Sequence, residues 1–182
     1  MATITQTGTI KTITTHYIDG ALVEAHGHEV MDILKPTNGQ VIGRVTLGDE
    51  EDTRRAIAAA KRAFTSFART TKEERSRYLR QLHEAVSARI DDLTAVMVEE
   101  YGGVVQFAAP IVQSGANAFL VAEKALLELP LTQSRGKTTV TLEPVGIAGL
   151  ITPWNANALS FALNLPQSSP PVGCDKDIRH MP

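Results

Sequence analysis

One cysteine in 182 residues, Cys174, leaves no partner for an internal disulfide and no cysteine-based zinc site. A lone thiol fits a reducing compartment. No sign of charge dominates either, with Lys+Arg 18 against Asp+Glu 20 and a formal charge of -2. The basic residues are scattered and do not form the stripe that counterion release from a polyanion requires, which argues against a nucleic-acid partner. Long apolar runs are also lacking. The longest that matters, Val145 to Ile151, contains two glycines, and a membrane-spanning helix needs roughly 20 residues. The Thr-rich start, residues 1–15, holds no apolar stretch that could serve as a signal-peptide core. The chain therefore reads as soluble and cytoplasmic, without a membrane partner. Among His16, His26, His28, His83 and His180, only His26 and His28 are close in sequence, and a Gly-containing turn there reads as a solvated loop rather than a metal site.

What is present is 43% hydrophobic content, enough for the core of one domain or for an incomplete piece of a larger one. Two hairpins are expected at the start. His16-Tyr17-Ile18 and Ala21-Leu22-Val23 flank Asp19-Gly20, a pair that tolerates the positive φ of a tight turn. Asn38-Gly39 repeats the device between residues 30–34 and 40–45.

Helical periodicity follows. Asp49 can cap a helix with an acidic first turn, Glu50-Glu51-Asp52, and Ala56, Ile57, Ala60, Ala63, Phe64 and Phe67 recur at three- and four-residue spacing. Thr71-Lys72-Glu73-Glu74 has the form of a capping box, followed by a stripe of Tyr78, Leu79, Leu82, Ala85 and Val86. These two amphipathic helices can pack against each other. A third helix should start at Asp91 or Asp92 with Leu93, Val96, Met97 and Val98 inward, and Gly102-Gly103 should end it. A fourth is expected from about Val104 to Leu129, interrupted or kinked near Pro110.

The period then returns to two. Lys137 to Leu142 alternates like a strand with one wet face, and Val145 to Ile151 is apolar throughout, as in a parallel strand covered on both faces. Helices followed by such a strand suggest an α/β domain. The strand runs into Thr152-Pro153-Trp154-Asn155, and open α/β folds bind ligands at the carboxyl edge of their sheets. Gly146-Ile147-Ala148-Gly149 is not a Gly-x-Gly-x-x-Gly fingerprint and on spacing alone permits only close packing. Taken by themselves, Trp154 could simply anchor the loop and Asn155 could bond its own backbone in a turn.

Taken together with their order, these pieces resemble the aldehyde dehydrogenase superfamily, which carries a closely similar Pro-Val-Gly-x-x-x-x-Ile-x-Pro-Trp-Asn segment. The resemblance covers residues 17–159. It includes Tyr17-Ile18-Asp19-Gly20, Pro36 with Asn38-Gly39-Gln40-Val41-Ile42, Ala56 through Phe64, and the helix around Glu74-Arg75. It implies an α/β fold, namely the amino-terminal part of a Rossmann-type cofactor domain with N-terminal hairpins and an oligomerisation strand at Thr138 to Leu142. It also implies NAD or NADP as cofactor and an aldehyde as substrate. Asn155 matches the asparagine whose amide donates to the oxyanion formed when a cysteine thiolate adds to the aldehyde, a task suited to a fixed dipole in a dry site. Ile151, Thr152, Pro153 and Trp154 match the loop on the nicotinamide and ribose side of the cofactor cleft.

Other parts of the family pattern are not found in these residues. They include the Lys-Pro-Ser-Glu segment, the Glu of Glu-Leu-Gly-Gly and the Cys of Gly-Gln-x-Cys, so the general base and the nucleophile are both lacking. Cys174 sits between Gly173 and Asp175, outside that context and beside a carboxylate that raises a thiol pKa. It reads as incidental. The family places a helix after residue 159, but with Pro166, Pro170 and Pro171 a long regular helix cannot continue past Leu165. The organisation expected is thus a flexible 1–15, a partial cofactor domain over 16–159, and an aberrant tail over 160–182 that a frameshift would explain. Three functional classes follow: a truncated and inactive dehydrogenase with very weak cofactor binding, an interaction protein pairing with itself or with a full-length paralogue, and a partly folded product without a selected role.

Overall fold

The structure is a computed structural model that describes residues 10–153, 159, 160, 162 and 163. Among these residues the elements are mixed α and β, as expected, with small sheets and four helices of twelve residues or more. Strands β2 (Thr15–Ile18) and β3 (Ala21–Glu24) form the first hairpin, with Ile18 opposite Ala21. Asp19 at φ 55° and Gly20 at φ 81° supply the two left-handed residues this turn needs.

Strands β4 (Val30–Leu34) and β5 (Val41–Thr46) form the second. Here Asn38-Gly39 does not make a two-residue turn. The Lys35 N–H donates to the Gln40 carbonyl at 2.8 Å, which leaves residues 36–39 as the loop. The Asn38 side chain accepts from the Gln40 N–H at 3.1 Å, and Gly39 takes φ 70°. Part of the segment expected to be flexible is ordered: β1 (Lys11–Ile13) pairs in parallel with β5, giving the order β1-β5-β4. A Lys-Thr-Ile run suits an edge strand, and β5 offers it an unpaired edge.

Helix α1 (Glu50–Phe67) starts at the Asp49 cap with a reciprocal box closed by Asp52, and α2 (Lys72–Ser87) starts at Thr71 with one closed by Glu74. Helix α3 (Ile90–Tyr101) ends at Gly102 with φ 77°. Helix α4 (Val105–Glu128) runs through Pro110 without interruption, because the proline lies only two turns from the start and costs one hydrogen bond. By length and composition alone α4 could cross a membrane. Here it is a core helix, with Ala108, Val112, Ala116 and Phe119 fully buried.

Helices α1 and α2, which could have packed along each other, take different partners. Helix α1 lies on β2, whereas α2 lies on α4 and α3 on the same α4. The reason is in the faces. The buried face of α1 is Ala56, Ala59 and Ala60, small side chains matched to Ile18 and Val23. Leu79, Leu82 and Val86 of α2 instead surround Phe119 and Ala118. Ile57, 44% exposed, and Ala63 and Ala85 consequently face solvent. The end of α1 is tied to α2 by the rings of Phe67 and Tyr78, stacked at 5.8 Å, and by buried Arg75, which donates to the Ala68 carbonyl at 3.2 Å and the Thr70 hydroxyl at 3.0 Å.

The loop after β3 is held onto α1 by a buried carboxylate. Asp52 is fully buried and accepts from the backbone N–H groups of His26 (2.9 and 3.0 Å), Gly27 (3.1 Å) and Asp49 (3.1 Å). Burial pushes its pKa up, but these three donors outweigh it and hold the carboxyl below its ordinary value. His26 bonds Asp49 at 2.6 Å, which raises the imidazole pKa and lowers that of Asp49 from 3.8 to about 2. Gly27 is required here, since a Cβ would lie 2.2 Å from the Leu47 carbonyl oxygen.

Candidate functional site

The chain reaches the candidate site through a hairpin. Strands β6 (Thr132–Arg135) and β7 (Thr138–Thr141) pair around Gly136, which takes φ 63° at the first position of a two-residue turn. The sequence pattern pointed to β7 but missed β6, and Gly136-Lys137 was the available signal. The expectation of one wet face is corrected too: β7 is exposed along its whole length, because no described layer lies over the hairpin.

Residues 145–151 depart furthest from expectation. They form no strand, and Val145 is 98% and Ile151 76% exposed. Gly146 adopts φ 137°, a conformation outside the strand region that glycine alone takes readily. A run apolar on both faces needs a paired strand on each side, and no described residue pairs with it. Ile147 and Leu150 reach only half-burial.

Of the proposed site residues, Ile151 and Pro153 are exposed and Thr152 is buried at 8%. Trp154 and Asn155 lie outside the described residues, as does Cys174. Beyond the loop, Ala162 is buried against Phe119 and Ala118. Thr152 and Ala162, the latter seated on α4, are thus buried residues on either side of 154–158.

What supports α4 is a set of polar ties that the sequence reading missed. Glu123, nearly buried, accepts from the Ser76 hydroxyl and from Nε of Arg80 at 2.6 Å. The serine bond, helped by the guanidinium, lowers its pKa against the opposing effect of burial. The Lys72 ammonium donates to the carbonyls of Leu127 and Leu129, satisfying orphan acceptors at the end of α4. His83 Nδ1–H donates to the Ala116 carbonyl at 2.9 Å. Ser76, Arg80 and His83 fall on one face of α2 at helical spacing, which was the legible clue.

The segment at 151–153 presents exposed residues on either side of a buried threonine. Gly146 and Gly149 have open space around them and cradle no group, and no glycine-rich turn leads into a helix N-terminus among the described residues. His26 and His28 stack at 6.3 Å, and no cluster of three metal-ligating side chains occurs among the described residues.

A family model described as the aldehyde dehydrogenase family matches residues 22–168, a span that continues past residue 159. The chain is 37% identical over 141 residues to a 3-succinoylsemialdehyde-pyridine dehydrogenase from a Pseudomonas species, covering 76% of this chain and 30% of that protein. It is 32% identical over 153 residues to a putative aldehyde dehydrogenase of Staphylococcus aureus, covering 84% and 32%. Among solved structures, aldehyde dehydrogenase C of Pseudomonas syringae, with NAD+ and octanal, superposes with TM-score 0.79 at 28% identity over 82% of this chain and 31% of that one. The aldehyde dehydrogenase of Bartonella henselae shares the fold with TM-score 0.83 at 22% identity, covering 87% and 34%. The chain thus spans about a third of the length of the relatives it matches.

Proposed function

The chain belongs to the aldehyde dehydrogenase family, and from this premise we propose that its site loop forms the oxyanion and nicotinamide edge of an NAD(P)-dependent aldehyde oxidation. Asn155 donates its side-chain amide to the developing oxyanion, and Ile151 to Trp154 line the nicotinamide side. When bound, the cofactor accepts the hydride. The observation that supports this reading is the burial of the residues on either side of 154–158, Thr152 before them and Ala162, seated on Phe119, after them. An amide dipole stabilises developing charge best where it is fixed in advance.

The 182 residues by themselves are proposed to be catalytically silent, because a thiolate and a general base in their family contexts do not occur among them. The tail's prolines and lack of apolar periodicity support a shift of reading frame within 160–182. Cofactor binding by these residues is very weak, since one edge supplies neither pyrophosphate nor adenosine contacts. Titration with NAD+ tests this: no saturation at micromolar cofactor is expected, and a micromolar Kd, about -8 kcal/mol, would overturn it.

A second reading draws on the exposed hairpin. The β6–β7 pair has open edges on both strands, and such edges recruit further strands. It supports association with another copy or with a full-length paralogue in the cytoplasm. Recovery of a full-length dehydrogenase in a pull-down with the 182-residue chain is the expected result, and recovery of chaperones alone would count against it.

A further inference from the structure

We propose that His26 and His28, on the loop between β3 and β4, together bind a late first-row divalent ion such as Zn2+, with Asp49 holding the His26 ring from behind. This goes beyond the aldehyde reading and does not depend on it. By sequence the stretch is a solvated loop, but the folded chain adds two conditions that a bare His-x-His lacks. The backbone around the pair is tied, and one ring is held in a metal-binding tautomer.

The Ala25 N–H donates to the Thr14 carbonyl at 2.9 Å, and the His26 and Gly27 N–H groups donate to the buried Asp52 carboxylate. On the far side the Glu29 carbonyl accepts from the Leu47 N–H at 2.8 Å. Gly27, between the two histidines, is buried against the Leu47 carbonyl with no room for a Cβ. The loop is thus fixed before any ion arrives, which reduces the ordering cost of binding.

Asp49 Oδ2 lies 2.6 Å from His26 Nδ1. A carboxylate only accepts, so the proton sits on Nδ1 and the neutral ring keeps its lone pair on Nε2. A carboxylate placed behind a histidine in this way orients the ring and makes it a stronger base toward a metal. Asp49 is itself held, since its other oxygen caps α1 by accepting from the Glu51 and Asp52 N–H groups at 2.9 and 3.1 Å. His28 is exposed and has no hydrogen-bond or ion-pair partner among the described residues, so its ring can turn without losing a bond. The two ring centres are 6.3 Å apart. With Zn–N bonds of about 2.0–2.1 Å, imidazoles that share an ion have centres roughly 5–6 Å apart, a gap that rotation of His28 closes. Imidazole nitrogen suits Zn2+, Cu2+ and Ni2+, whereas Mg2+ takes oxygen ligands. Water fills the remaining positions on the ion.

The test uses the full 182-residue chain carrying Cys174→Ala, so that the lone thiol does not compete. It is titrated at mildly alkaline pH, where protons compete least for the rings, with zinc chloride and separately with magnesium chloride. A single equivalent of Zn2+ should bind saturably and move the ring signals of His26 and His28 together, leaving those of His83, whose Nδ1 is taken by the Ala116 carbonyl. It should also raise the thermal midpoint, because the ion binds the folded chain. Mg2+ should do neither. Asp49→Asn, which still caps α1, should weaken Zn2+ binding about tenfold, the lower end for loss of an outer-shell carboxylate. His28→Gln removes a ligand and should weaken it further, with the metal-free thermal midpoint unchanged because the ring has no bond to lose. Parental affinity in His28→Gln, a response confined to one of the two rings, or an equal response to Mg2+ would overturn the proposal.

Discussion

Replacing Asp52 by alanine should be among the most damaging single changes in the chain, although sequence alone shows it only as one of three acids in a first helical turn. The carboxylate is fully buried and holds three backbone N–H groups, those of His26, Gly27 and Asp49. Removing it strands these donors, each worth about 1–3 kcal/mol when left without a partner. Water can reach part of this loop, so the lower end applies and the sum is about 3 kcal/mol. For a domain of this size that lowers Tm by about 6–12 °C. Asp52→Asn keeps one acceptor oxygen but turns an amide toward the His26 N–H, and should cost about 1–2 kcal/mol. Denaturant unfolding followed by circular dichroism measures both. The reasoning fails if Asp52→Ala costs less than about 1 kcal/mol, or if the asparagine variant is the less stable of the two.

The His26–Asp49 pair makes stability pH-dependent in two windows. Asp49 is held at about 2 against an ordinary 3.8, so its contribution is present above 3.8 and lost as pH falls toward 2. His26 is raised above 6.5, so its contribution is full below 6.5 and lost as pH rises through the raised value. A Tm profile should decline on both sides, and His26→Ala should remove the alkaline decline; an unchanged profile would contradict the pairing. Gly27→Ala drives a Cβ to 2.2 Å from the Leu47 oxygen and should cost about 1–3 kcal/mol or more, as an overpacked site does. The exposed run from Val145 to Ile151 should make the isolated chain bind an apolar dye and unfold with poor cooperativity, and Val145→Lys with Ile151→Lys should reduce both dye binding and self-association. A monomer with a sharp two-state transition and no dye binding would contradict this.

Local signals were the legible part. Asp19-Gly20, the Asp49 cap, the Thr71 capping box and Gly102 each act within a few residues, so the hairpin turn and three helix ends could be placed from sequence. Tertiary pairing was not legible in the same way. Leu79 and Leu82 could have met α1 as well as α4, and only the large, fully buried Phe119 decides for α4. Asp52 and Glu123 look like solvated helix charges until the chain folds donors onto them. The run at 145–151 has the composition of a strand covered on both faces but forms none, because a strand exists only where neighbours supply its hydrogen bonds. At the site, the order of Ile151, Thr152, Pro153, Trp154 and Asn155 carried the family, whereas burial of Thr152 and the seat of Ala162 on α4 emerged from packing.

Steady-state reduction of NAD+ or NADP+ by the purified 182-residue chain, with an aldehyde as sole donor and with Cys174→Ala in parallel, tests the central claim most directly. A chain whose helices are intact by circular dichroism but which lacks the family's thiolate and general base should produce no aldehyde-dependent reduced cofactor. Turnover by the parent chain that disappears in Cys174→Ala would make Cys174 a nucleophile and contradict the account.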